Sequence, residues 1–165
     1  NNRFDYGVHL QPPPGYELDC AIATTYSLDL DTLLAVPVAM YFHDTLEGDL
    51  RGEKLALLEA VGQLKGKIKV FYQAGNIKLP PAYNRLFTLL EPWLQPAIPS
   101  GGEFSSFHPK LWLLRYNPTD NSVPHYRLLV LSRNLTFDRS WDIAVALDGV
   151  LSTEITATDP GLPWI

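Results

Sequence analysis

His108 and Lys110 stand two residues apart in the stretch FHPKLWLLRY, residues 107–116, at the head of an apolar run. On a β-strand, positions i and i+2 share a face. The spacing therefore predicts a strand that holds an imidazole and an ammonium side by side. Histidine near neutral pH can attack as a nucleophile or carry a proton. Lysine adds a fixed positive charge with three donors, and asparagine an amide donor. A second polar group, LSRNLT, carries Ser132, Arg133, Asn134 and Thr136 at the end of the next apolar run. If the two runs form a hairpin joined by residues 117–125, Asn134 returns toward His108 and Lys110. Such a set suits phosphoryl oxygens that gain negative charge during reaction. A third group, DRSWD, supplies Arg139, Ser140 and Asp142. An Asp held against one imidazole nitrogen would orient the other, and Asp142 is the candidate. Arg133 and Arg139 suit a nucleic-acid backbone. This reads as phosphoryl transfer with no metal ligand and no cofactor.

The elements that must position these groups follow from periodicity and breakers. Residues 1–16 are polar and proline-rich, an irregular lead-in. CAIATTYSLD reads as a buried strand, and its TTYSLD stretch as core. DTLLAVPVAMYF reads as a helix with Asp31 as N-cap and Pro37 as a kink or limit. EKLALLEAVGQLKG carries a helical stripe closed by Gly66. KIKVFYQAG is a strand, PPAYNRLFTLLEPWL a short helix ended before Pro92, and QPAIPSGGEFS a loop. Three strands follow, SFHPKLWLLRY, YRLLVLSRNL and WDIAVALDG. The alternation predicts an α/β fold, a mixed β-sheet with helices on both faces. Trp112, Trp141, Phe107 and Tyr116 read as packing residues.

At 165 residues the chain reads as one domain, with residues 149–165 as a tail. It starts without a methionine and ends on an apolar tail, which reads as a trimmed fragment of a longer protein. One cysteine, Cys20, excludes an intramolecular disulfide and a cysteine-rich zinc site, and points to a reducing cytoplasm. The longest apolar run, LLAVPVAMYF, is too short for a bilayer span. The net charge of −5 argues against a nucleic-acid coat protein. From residue 107 to 141, however, five cations face two carboxylates, and a locally basic site suits an anionic ligand.

The stretch FHPKLWLL…YRLLVLSRNLTFDRSWDIAV resembles one half of a phospholipase D superfamily site. The resemblance implies that His108 forms a phosphohistidine, that Lys110 and Asn134 bind the phosphate with Ser132 assisting, and that Asp142 orients the imidazole; Arg133 is read beside them as a substrate-binding residue. It implies no metal. A second histidine, from a second motif, would protonate the leaving group. The family's motif acid falls at Arg115 and is absent. The resemblance is therefore closest to the superfamily's nucleases and tyrosyl-DNA phosphodiesterases. His9, His43 and His125 are not followed by a lysine two residues on. The second half is then expected from a C-terminal domain or from a homodimer partner.

The substrate expected is nucleic acid, DNA before RNA, and the product a cleaved or processed end. A phospholipid is the second reading, set lower because the sequence shows neither a basic amphipathic helix nor an apolar face suited to a membrane. The third reading is a degenerate half that binds nucleic acid or builds a dimer. Taken alone, His108 would be a strand-end histidine and Asn134 a turn cap.

Overall fold

The computed structural model describes residues 6–41, 50–80, 85–102, 104–120, 122–136 and 143–150. Eight strands occur among them. Six form one mixed sheet in the order β5-β3-β1-β6-β7-β8. These are β1 (Tyr16–Thr25), β3 (Ile68–Gln73), β5 (Leu94–Ala97), β6 (Leu111–Pro118), β7 (His125–Leu131) and β8 (Ala144–Val150). The short strands β2 (Leu28–Asp29) and β4 (Ile77–Lys78) make a separate parallel pair. β1, β3 and β5 run parallel to one another, and β6, β7 and β8 continue the sheet antiparallel. The α/β class and the mixed sheet flanked by helices are as the sequence pattern predicts.

Between β1 and β3 run α2 (Leu30–Tyr41) and α3 (Leu50–Gln63). A parallel pair needs such a crossover because its strands cannot be joined by a tight turn. Asp29, not Asp31, caps α2: its Oδ1 accepts the Asp31 N–H at 2.9 Å. Asp29 precedes the first helical residue, where a short carboxylate reaches an orphan amide of the first turn. Pro37 lies inside α2 and does not end it. Gly66 sits at φ 78°, in the turn between α3 and β3 that demands a residue without a Cβ.

The core lies between the helices and one face of the sheet. Leu33, Val36 and Met40 from α2, Val61 from α3 and Leu64 in the turn after it meet Ala21, Ala23, Val70, Trp112, Leu114, Tyr116 and Leu129 from the strands. Alternation along β6 explains the division, with Trp112, Leu114 and Tyr116 buried and Leu113 and Arg115 exposed. The opposite face exposes Ile22, Leu113, Val130, Val145 and Leu147. Sequence reading had found no apolar face of this kind, because each of these residues sits alone between core positions and becomes a patch only through strand register.

Several elements differ from the sequence reading. Tyr6–Leu10 forms a short helix, α1, instead of an irregular lead-in. Its Leu10 is fully buried and its carbonyl accepts the Tyr116 hydroxyl at 3.2 Å. The single helix expected after β3 is two 3-10 turns, Arg85–Leu89 and Glu91–Trp93. Pro92 has no N–H to extend a helix. The expected loop after it begins as β5, paired with β3 from Val70↔Leu94 to Gln73↔Ala97. The strand holding FHPK starts only at Leu111, since Pro109 cannot donate to a ladder.

Candidate functional site

The site groups gather at one end of the sheet. There β1, β3 and β7 finish and β6 begins. In open α/β sheets the crevice forms where crossovers leave a strand in opposite directions. Here β1 lies at the change of direction, with parallel β3 on one side and antiparallel β6 on the other.

His108 and Lys110 precede β6 and do not share a strand face. Two backbone bonds pin the segment instead. Phe107 N–H donates to Gln73 Oε1 at 2.7 Å, and Leu131 N–H donates to Lys110 O at 2.9 Å. The expected proximity of the two side chains is nonetheless present. Lys110 Nζ lies 2.8 Å from His108 Nδ1 and 3.2 Å from Nε2. A nitrogen so close to both ring nitrogens stands above the ring, because in the ring plane it would overlap Cε1. Burial lowers the Lys110 pKa from the ordinary lysine value. His108 is exposed, and Lys110 half-buried.

Asn134 follows β7. Its Oδ1 accepts the backbone N–H of Tyr26 at 3.2 Å and of Ser27 at 3.4 Å. Both partners are donors only, so the atom facing them must be the amide oxygen. Nδ2 is left as the outward donor pair, and nothing among the described residues accepts from it. Thr25, fully buried, secures the neighbouring backbone. Its hydroxyl donates to Ser27 O at 2.8 Å and accepts the Leu135 N–H at 2.9 Å. Asp29 N–H then donates to Leu135 O at 2.8 Å, and Leu28 forms a parallel bridge with Leu135. The hairpin of β6 and β7, in register from Leu111↔Val130 to Tyr116↔His125, sets Asn134 on the same end as His108.

Ser132 ties β7 to the start of β8. Its Oγ accepts the Ile143 N–H at 2.9 Å and its N–H donates to Ile143 O at 3.0 Å. Arg133, half-buried, places Nη2 3.5 Å from Thr136 O. Asp142, with Arg139, Ser140 and Trp141, lies outside the described residues. Arg115 pairs with Asp19. It sits four residues along β6 from the site end, roughly 13 Å away at the usual strand rise.

Sequence reading missed the end of β1. TTYSLD is not all core strand: β1 stops at Thr25, and Tyr26 and Ser27 turn across the site. The Tyr26 and His108 rings lie 5.0 Å apart, tilted by 42°. Thr24 Oγ1 accepts the Leu111 N–H at 3.2 Å and so fixes the start of β6. The available signal was a buried strand that ends in four consecutive hydroxyl-bearing residues.

Among the described residues, no group of three His, Cys, Asp or Glu side chains gathers as a metal site. No helix among them is long and apolar enough to cross a membrane. No family model matches the chain. No curated protein matches it either. Solved structures do. Yeast tyrosyl-DNA phosphodiesterase matches with a TM-score of 0.41 and 21% identity, over 72% of this chain and 22% of that one. Polyphosphate kinase from Porphyromonas gingivalis matches with a TM-score of 0.38 and 12% identity, over 86% of this chain and 20% of that one. The chain therefore spans about a fifth of the length of these structures.

Proposed function

We propose that this chain carries one half of a phosphodiesterase site that acts on nucleic acid, DNA first, through a phosphohistidine. One observation carries the reading: the Asn134 amide is held with its donors outward, at the same sheet end as the contacting His108–Lys110 pair. A ring nitrogen of His108 attacks phosphorus and forms a P–N bond while the P–O bond to the leaving strand breaks. The leaving oxygen takes a proton from a second histidine, supplied by another domain or a second subunit. Water then attacks phosphorus, gives its proton back to that histidine, and releases His108. Lys110 and Asn134 hold the non-bridging oxygens as charge builds up on them. Ser132 and Arg133 contact the substrate, and Asp142 orients the imidazole. The mechanism asks for no metal.

The test uses the full natural chain with single- and double-stranded DNA in EDTA, beside His108→Ala. Cleavage by the wild type alone is the expected result. Cleavage that survives the substitution removes His108 from the mechanism. Hydrolysis of phosphatidyl vesicles in place of DNA moves the substrate to lipid, a reading that the exposed Ile22–Leu113–Val130 face keeps in play. DNA binding without cleavage leaves a non-catalytic half.

A further inference from the structure

The exposed His108 lies outside any strand ladder. Its backbone is pinned on both sides, but its ring needs separate support. The ring meets two groups, the Lys110 ammonium and the Tyr26 ring. Lysine is a flexible tether with a large rotamer entropy. The Tyr26 ring, with its centroid 5.0 Å away, is a broad and stiff surface within aromatic contact range. The same residue donates its backbone N–H to Asn134 Oδ1. Tyr26 therefore touches both the imidazole and the amide, two groups that flank the β6–β7 hairpin in sequence, one before β6 and one after β7.

We propose that Tyr26 is the positioning residue of this site. Its ring limits the rotation of His108, and its N–H turns the Asn134 donors outward. The proposal rests on the phosphodiesterase reading of His108. No described residue bonds the Tyr26 hydroxyl, so the ring rather than the hydroxyl supplies the contact. Tyr26→Phe then preserves the function and Tyr26→Ala does not. The backbone N–H remains in both variants, so the comparison isolates the ring.

The experiment measures steady-state DNA cleavage by the full natural chain and its Tyr26→Ala, Tyr26→Leu and Tyr26→Phe variants. It also follows the His108 Cε1–H resonance, assigned by its loss in His108→Ala. Expected is a fall in kcat of about tenfold to a hundredfold in Tyr26→Ala and Tyr26→Leu, with KM little changed. Tyr26→Phe returns to near the wild-type rate. The resonance moves in the Ala and Leu variants and holds in the Phe variant, because the aromatic ring current is lost only in the first two. Tyr26→Leu fills space, so it serves if Tyr26→Ala does not fold. Wild-type rates in the Ala and Leu variants, or a Phe variant as slow as they are, overturn the proposal. If the wild type cleaves no phosphodiester, the functional reading fails by itself. The resonance then decides on Tyr26: unmoved in Tyr26→Leu, it removes the contact; moved there and restored in Tyr26→Phe, it retains the positioning.

Discussion

Asn134 Oδ1 accepts the backbone N–H of Tyr26 at 3.2 Å across 108 residues of chain. That bond decides which atom of the amide looks outward, and so what the site can bind.

Replacing Asn134 by Asp keeps an oxygen for the Tyr26 and Ser27 N–H groups but turns a carboxylate oxygen outward. We expect near-native thermal stability and loss of phosphate binding, read by titration with inorganic phosphate. Asn134→Ala removes both functions and should also cost about 1–2 kcal/mol in denaturant unfolding. A carboxylate variant that binds phosphate as the wild type does would take Asn134 out of the anion seat.

Thr25→Val keeps the shape of the side chain and deletes its hydroxyl. The buried Leu135 N–H then loses its acceptor. Urea unfolding should show a loss of about 1–3 kcal/mol, and Thr25→Ser should recover most of it. Equal stability of the Val variant would mean that water or a backbone shift replaces the bond.

Lys110 has its pKa lowered by burial, and the proposed role needs its charged form. Turnover should therefore fail on the alkaline side earlier than an ordinary lysine would allow. Lys110→Arg should be slower at neutral pH, because a planar, delocalised guanidinium does not place its charge and donors at one point as the compact ammonium does. It should also lack that alkaline limb. A pH–rate profile of both proteins checks this, and an unchanged limb in the Arg variant assigns it to another group.

Burial raises the Tyr116 phenol to about 12 from 10.0, with the nearby Arg127 charge pulling the other way. A raised folded pKa gives stability that is complete below the unfolded value and lost as pH climbs through the folded one. Stability should thus fall between pH 10 and about 12. Tyr116→Phe should flatten that fall while costing about 1 kcal/mol at neutral pH, since Leu10 O loses its donor. Chemical denaturation across this range reads both effects.

Arg115 pairs with Asp19 away from the site end. Arg115→Ala should leave cleavage unchanged. A large loss of activity would mean that this end of β6 reaches the substrate.

The His108–Lys110 contact and the return of Asn134 by a hairpin were legible because both depend on short-range patterns. An i,i+2 pair and two apolar runs around a turn-rich loop are local facts of sequence. The face-sharing argument for His108 and Lys110 was still wrong in detail, since Pro109 keeps both off the strand. Tyr26 and Thr25 were not legible as site residues. A β-branched and aromatic run promotes a strand wherever it lies, and only the sheet order shows that this strand ends at the crevice. β5 was hidden for a related reason: Pro92 and Pro96 argue for a loop, but an edge strand tolerates a proline.

The Thr25–Leu135 and Tyr26–Asn134 bonds span 110 and 108 residues, whereas His108 and Lys110 are sequence neighbours. Closing so long a loop costs entropy that only the assembled sheet repays. An incomplete chain, as it leaves the ribosome, can hold the imidazole beside its ammonium and still have no seat for an anion. On the proposed reading, chemical competence arrives with the last long-range closure, and a partly folded copy stays inert.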